Sequence, residues 1–169
     1  MEDLPPACQL CHLPLKLGRL DGAPLEKEIF HRFLSGGCGN YMNMINQERL
    51  IKTLCDLITI DSPSGEERNI GEQLITRLKA LGVKAEFDSY GNVIGKIVGK
   101  DPILLSAHMD TVEPGRGIKP RIEEGRIVSD DDTILGGDCK AGIAAILEGI
   151  TSLKEDGESQ MAVELAFTR

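Results

Sequence analysis

From Ile45 onward, apolar residues at helical spacing alternate with short apolar runs, and this alternation constrains the fold more than any other feature of the chain. The first helical face is followed by a breaker stretch at residues 61–65. A second helix is predicted over residues 65–81, where Ser64 and Glu67 have the spacing of a capping box. Strands that alternate with helices predict an α/β layered fold. The first helical face consists of Leu50, Ile51, Leu54, Leu57 and Ile58.

Short strands are predicted after the second helix. Two stretches, 83–87 and 93–98, flank a turn at 90–92 and predict a hairpin. The run 103–105 is apolar without interruption, so we expect a central strand that is buried on both faces. The two long helices are expected to pack on the sheet. The remaining predicted elements are a second hairpin at 121–128, a helix over 140–154 and a last strand at 162–167.

Residues 1–41 differ from the rest because no helical or strand period runs through them. They hold three of the five Cys and two of the three His. We interpret them as an N-terminal extension, disordered or translated from upstream of the true start, with Met42 or Met44 as the initiator. The chain is thereby divided into this extension and a domain over residues 42–169.

Within the extension, Cys8, Cys11 and His12 match the C-x-x-C-H pattern of haem attachment. Covalent haem of this kind requires export, and the first residues lack the basic and apolar regions of a signal peptide. A small zinc-binding interaction module that adds Cys38 or His31 is a second interpretation. We prefer a leader in which these residues occur by chance.

The composition disfavours several classes of function. A formal net charge of -8 argues against nucleic-acid partners, because an acidic chain repels phosphate backbones. No apolar run approaches the ~20 residues of a membrane span, so we expect no membrane partner. Without an export signal the predicted location is the cytoplasm, where the five Cys are expected to remain free thiols.

His108 follows the predicted buried strand, and open α/β sheets place their ligand sites at such strand ends. Its imidazole can ligate a metal through one ring nitrogen, while Asp110 accepts a hydrogen bond from the other nitrogen. A carboxylate in that place fixes the tautomer and raises the basicity of the ligand. A single His at a strand end is also often structural, and this alternative stays open.

A second acidic residue, Asp138, stands in a glycine-rich stretch just ahead of the last predicted helix. Gly136 and Gly137 allow unusual backbone angles and a close approach of the chain. The Asp138 carboxylate can bridge two divalent cations, or it can cap the helix, since Asp is a favoured capping residue. The order and spacing of the two motifs favour a metal site over two separate structural roles.

The sequence His-Met-Asp-Thr-Val from His108, followed by Gly-Gly-Asp-Cys-Lys-Ala-Gly from Gly136, resembles the co-catalytic zinc metallopeptidase family of peptidase T, aminoacylase and succinyl-diaminopimelate desuccinylase. The likeness covers residues 44–169, and the stretches 62–67 and 90–93 are typical of the peptidase T-like branch. It implies a three-layer zinc-peptidase-like α/β fold, of which this chain is the N-terminal portion of the catalytic domain only. It also implies a peptidase T-like aminopeptidase that hydrolyses small peptides, with an N-acyl amino acid deacylase as the alternative.

By the same resemblance, the complete enzyme holds two zinc ions. His108 would ligate one zinc, Asp138 would bridge both, and Asp110 would be the catalytic residue that orients His108. The family commonly has Asp or Met directly after the bridging Asp, whereas this chain has Cys139, whose side chain is not expected to be a ligand. We expect His108 and Asp138 to converge on one cleft, and the Asp138–Cys139 peptide bond to be cis.

The resemblance also implies what would follow this sequence. In the family, a strand that ends in a Phe-Thr-like pair leads into two Glu residues, one of them the general base and the other a zinc ligand. This chain ends with Phe-Thr-Arg at residues 167–169. We therefore expect the two Glu residues and a dimerisation domain to lie beyond it. We also expect the chain alone to be inactive. The complete enzyme would take a small peptide or acyl amino acid, and a homodimer is compatible with it. A catalytically dead domain with an N-terminal zinc module is the remaining alternative.

Overall fold

The computed structural model of the chain describes residues 45–130, 132–157 and 162–169. The predicted N-terminal extension, its Cys and His motif and the two candidate initiators lie outside these residues. None of the helices in the described part is long and apolar enough to span a membrane. The helices are α1 (Gln47–Ile58), α2 (Arg68–Ala80) and α3 (Gly137–Glu155), and the strands are β1 (Lys84–Phe87), β2 (Val93–Ile97), β3 (Ile103–His108), β4 (Arg121–Glu123), β5 (Arg126–Val128) and β6 (Val163–Thr168).

The first two helices begin in different ways. At the start of α1, the Asn46 side chain accepts a hydrogen bond from the Arg49 backbone N–H, which satisfies a free donor of the first turn. The capping box predicted for α2 does not form, because the helix begins only at Arg68 and the Glu67 side chain caps no helical N–H. Glu67 instead accepts from the Gly65 backbone N–H at 2.6 Å. The stretch before α2 is therefore shaped by other contacts than helix capping.

The main sheet is mixed and has the strand order β1-β2-β6-β3. β2 is antiparallel to both β1 and β6, while β3 runs parallel to β6. The predicted hairpin between β1 and β2 is confirmed. In its turn the Asp88 carboxylate accepts from the backbone N–H groups of Tyr90 and Asn92, and Gly91 takes a positive φ of 93°. The second predicted hairpin, β4 with β5, forms a separate two-stranded sheet.

The described helices cover one face of the main sheet. The cross-strand neighbours Val93, Phe167 and Ala107 point to the same side. Val93 lies against α2 at Gly71, Ala107 lies against α3 at Gly142, and α1 packs on α3. The α/β class is thereby confirmed, and the described residues supply the sheet and one helical layer. The opposite face, which no described helix covers, carries Ile94, Lys96, Leu104, Ser106 and Glu164.

The prediction that residues 103–105 form a central strand buried on both faces is wrong. They begin β3, which pairs only with β6 among the described strands and so lies at the edge of the sheet. Ile103 is 46% exposed and Leu104 is 65% exposed, while Leu105 packs against the core. An apolar run becomes buried only where something covers it, and one face of β3 has no cover in the described part of the chain.

Candidate metal site at the end of β3

His108 is the last residue of β3, and the backbone beyond it is held firmly. Met109 is fully buried, and its N–H donates to the Thr168 carbonyl at 2.7 Å, which continues the pairing with β6. Thr111 then forms an isolated bridge with the loop after α1. These contacts anchor the chain on both sides of Asp110, the residue expected to orient His108.

The Asp110 carboxylate lies behind the His108 ring. Its Oδ1 is 2.9 Å from His108 Nδ1, and its Oδ2 accepts a hydrogen bond from the Ser64 hydroxyl. These hydrogen bonds, that of Ser64 foremost, hold the pKa of Asp110 below its usual range, although burial works against them. An ionised carboxylate only accepts hydrogen bonds, so a neutral His108 carries its hydrogen on Nδ1 and leaves the Nε2 lone pair free.

Asp138 stands at the start of α3, and its Oδ1 is 3.4 Å from His108 Nε2. Its side chain is 94% exposed. The backbone of Asp138 (φ −90°, ψ 117°) and that of Cys139 (φ −105°, ψ 26°) are not helical, so the regular part of α3 begins after these two residues. No backbone N–H of the described residues donates to the Asp138 side chain, so the capping hydrogen bond that was its alternative does not form. The Asp138–Cys139 peptide bond is cis, as the resemblance implied.

The facing atoms of His108 and Asp138 are both acceptors when the imidazole is neutral. Two lone pairs 3.4 Å apart repel each other unless a proton or a metal cation lies between them. Imidazole nitrogen and carboxylate oxygen are ligands that zinc accepts in proteins. The donor set therefore fits a metal ion, while two residues are fewer than a zinc site usually takes from its protein. The described residues would thus hold a zinc ion only together with further ligands.

Cys139 places a third donor atom in the same cluster. Its Sγ, the His108 nitrogen and the Asp138 oxygen lie within 4.8 Å of one another, and no other group of three such side chains occurs in the described residues. The sulfur packs over Gly142, where an added Cβ would be only 2.8 Å from it. No ligand role was expected of Cys139, yet its thiol adjoins the two predicted ligands.

Two residues beside the site were given no role in it by the sequence analysis. Lys140 is fully buried, and its Nζ donates to the Ile60 carbonyl at 2.7 Å. Burial lowers the pKa of Lys140 to about 8, and the Asp61 carboxylate partly offsets this effect. Ser64, which was predicted to cap α2, donates to Asp110 instead. These contacts join residues 80 and 46 positions apart, so local spacing gives no sign of them.

Comparison with known proteins extends the resemblance to the whole described fold. No family model matches the chain. It is 38% identical over 136 residues to the uncharacterized protein YqjE of Bacillus subtilis, a match that covers 74% of this chain and 37% of that protein. The solved structure of aminopeptidase PepT from Bacillus cereus matches with a TM-score of 0.71 and 40% identity, over 73% of this chain and 36% of that one. A tripeptidase from Staphylococcus aureus matches with a TM-score of 0.70 and 34% identity, over 73% of this chain and 36% of that one.

The chain thus spans little more than a third of the length of these proteins. Over that span, sequence and fold agree, because identities of 34% and 40% accompany TM-scores of 0.70 and 0.71. The resemblance drawn from the motifs around His108 and Asp138 is confirmed: over this span the chain is similar in sequence and in fold to part of the peptidase T-like metallopeptidases.

Proposed function

We propose that the chain forms part of a zinc-dependent peptidase of small peptides, and that His108 and Asp138 are metal ligands in it. The observation that carries the proposal is the 3.4 Å separation of His108 Nε2 and Asp138 Oδ1, with the Asp110 carboxylate on the other side of the imidazole. An imidazole that is oriented by one carboxylate and directed at a second is typical of a metal ligand. The names of the matched structures, an aminopeptidase and a tripeptidase, support a small peptide as substrate.

Each of these residues has a separate task in the proposal. His108 would hold one zinc ion through Nε2, Asp138 would be shared between this ion and a second one, and Asp110 orients the His108 ring. Bound zinc supplies a Lewis acid that polarises an amide carbonyl and lowers the pKa of water. The 94% exposure of the Asp138 side chain supports a bridging role, because both carboxylate oxygens are open to cations.

The proposal assigns no general base to the described residues. Glu155 is paired with Arg49, and Glu164 is paired with Lys96, so both carboxylates are engaged in ion pairs of their own. A general base typically contributes about 10²–10⁴-fold to the rate. We therefore expect the purified chain to show no measurable zinc-dependent hydrolysis of tripeptides. Turnover that requires both zinc and His108 would contradict this expectation.

Zinc binding by the full chain tests the proposed ligands directly, and isothermal titration calorimetry measures it. The N-terminal cysteines can bind zinc on their own account, so the starting protein carries Ser at each of them. We call this protein the Cys-to-Ser background. The replaced residues are Cys8, Cys11 and Cys38.

Loss of a residue that hydrogen-bonds to a metal ligand weakens metal binding about 10–100-fold. In the Cys-to-Ser background, we expect His108→Gln and Asp138→Asn each to weaken zinc binding by more than this. Asp156→Asn is the matched control, because Asp156 is an exposed carboxylate at the opposite end of α3. It should bind zinc as the background does. Equal zinc affinities for all four proteins would mean that His108 and Asp138 are not ligands.

A further inference from the structure

The loop of residues 60–64, between α1 and α2, contacts both halves of the candidate site. Ser62 Oγ donates to the Met109 carbonyl at 2.9 Å, and the Thr111 N–H donates to the Ser62 carbonyl at 2.8 Å. Lys140, two residues after Asp138, donates to the carbonyl of the first loop residue at 2.7 Å. The loop is therefore tied to the end of β3 and to the start of α3 at once.

Ser64, the last residue of this loop, is the one whose side chain reaches the orienting carboxylate. Its hydroxyl donates to Asp110 Oδ2, while Asp110 Oδ1 and the Asp110 backbone carbonyl face His108 Nδ1 at 2.9 Å and 3.1 Å. Each oxygen of the carboxylate thus has its own partner, and the plane of the group is fixed. Without the Ser64 hydroxyl, the carboxylate, which is 24% exposed, would be free to turn its oxygens toward water.

We propose that Ser64 is a positioning residue of the metal site: through Asp110 it holds the hydrogen of His108 on Nδ1, so that Nε2 is presented to the metal. This proposal rests on the proposed function for its consequence at zinc, but the hydrogen-bonded chain itself exists without metal. The α2 helix begins at Arg68, beyond reach of the usual capping role, which leaves the Ser64 hydroxyl available for Asp110.

The tautomer of His108 is the first measurement, made on the metal-free full chain by nitrogen-15 NMR of the imidazoles. The pH of the measurement is chosen so that the nitrogen-15 shifts themselves show neutral rings. The signal of His108 is assigned from its loss in His108→Gln. We expect the chain to hold its hydrogen on Nδ1, Ser64→Ala to give a mixture of tautomers, and Ser64→Thr, which keeps a hydroxyl, to restore the single form.

Ser106→Ala is the matched control, since it also removes a serine hydroxyl from a hydrogen bond, here to the Ala166 carbonyl, on the strand that carries His108. It should leave the tautomer unchanged. The proposal is overturned if Ser64→Ala keeps the single tautomer, or if Ser64→Thr behaves like Ser64→Ala.

Zinc affinity in the Cys-to-Ser background is the second measurement. We expect Ser64→Ala to weaken binding about 10-fold or more, as loss of an outer partner of a metal ligand does, and Ser64→Thr and Ser106→Ala to bind like the background. Unchanged affinity in Ser64→Ala, beside weakened binding in Asp110→Asn, would overturn the role of Ser64 and leave the proposed function intact. If His108→Gln binds zinc like the background, the proposed function fails, while the tautomer measurement still decides whether Ser64 positions His108.

Discussion

Two of the carboxylates on helix α3 lie in opposite surroundings. In its second half, Glu148 is 3% exposed and accepts hydrogen bonds from the Arg49 guanidinium and the Asn46 backbone N–H. At its start, the Asp138 side chain is 94% exposed, and among the described residues its ion-pair partner is His108, at 3.4 Å. We call Glu148, whose carboxylate is buried and hydrogen-bonded within the protein, the occupied carboxylate. We call Asp138, whose carboxylate is exposed to solvent, the open carboxylate.

This difference teaches how a structural acid can be told from a functional one on the same element. A buried carboxylate that lacked its partners would destabilise the fold, so Glu148 must be satisfied internally. An exposed carboxylate has no such need, and its place beside an imidazole does little for the stability of the chain. The position of Asp138 therefore supports its proposed role as a ligand more than a role in folding.

The largest effect is expected at the occupied carboxylate. Glu148→Ala should lower the free energy of unfolding by about 3 kcal/mol, because it removes the partners of a half-buried guanidinium and of the Asn46 N–H. Glu155→Ala is the control: the Glu155 side chain is 56% exposed and is the second carboxylate paired with Arg49, so its removal should cost about 0.5 kcal/mol. Urea unfolding followed by circular dichroism measures both. Equal losses would remove the distinction between buried and exposed acids on α3.

At the open carboxylate, replacing the side chain should hardly change the free energy of unfolding in the absence of metal. Added zinc should raise the free energy of unfolding only when the Asp138 carboxylate is present. Without zinc, Asp138→Ala should unfold within about 0.5 kcal/mol of the Cys-to-Ser background. Zinc at 100 times its dissociation constant should stabilise the background by about 2.7 kcal/mol and the variant far less. Urea unfolding with and without zinc makes the comparison. A variant that zinc stabilises as much as the background would show that Asp138 is not part of the site.

The pH dependence of stability should follow the occupied carboxylate. The hydrogen bonds from Arg49 lower the pKa of Glu148, while burial opposes them. The native state then binds fewer protons than the unfolded state in the acid range, so the contribution is present above the unfolded pKa and is lost as the pH falls through the native one. Unfolding free energies between about pH 6 and pH 3 should fall less steeply in Glu148→Gln, because that variant has no such group to protonate. An identical slope in both proteins would refute this assignment.

The smallest effect is expected at Cys139, the third member of the cluster. If its thiol only adjoins the site, Cys139→Ser in the Cys-to-Ser background should leave zinc affinity unchanged. Cobalt(II) in place of zinc should then show no sulfur-to-metal absorption band in the near ultraviolet. A band that is lost in Cys139→Ser and kept in the control Cys55→Ser would show that the Cys139 sulfur is also a metal ligand. The start of α3 would then differ even more from its second half.

Features that depend on neighbouring residues were predictable from the sequence. The β1–β2 turn needs only Asp88 and the glycine near it, and it lies where the pattern placed it. The alternation of helices and strands set the α/β class. His108, Asp110 and Asp138 could be selected as site residues because each stands next to a recognisable element boundary. The structure brings these three residues together, and their metal-binding roles stay a prediction.

Features that depend on distant partners were not predictable. Ser64 has the spacing of a helix cap and instead serves Asp110, 46 positions away. In the sequence, Glu148 looks like an ordinary polar residue of a helix. Its partner Arg49 lies 99 positions earlier, so no local pattern indicates the ion pair. The exposed start of β3 has the same cause, because an apolar run contains no information about which strand or helix will cover it.

The parallel ladder between β3 and β6 has a consequence for synthesis on the ribosome. It joins residues 60 positions apart, and β6 is the strand that pairs with β3 in the described part of the chain. At about 5–20 residues per second, β3 emerges on the order of 3–12 s before its partner exists. During that interval the apolar edge around Leu104 is open to chaperones and to other nascent chains, and His108 has no fixed backbone. Because the β3–β6 ladder runs to the pair His108 and Thr168, the end of β3 can be ordered in this way only after translation has passed Thr168.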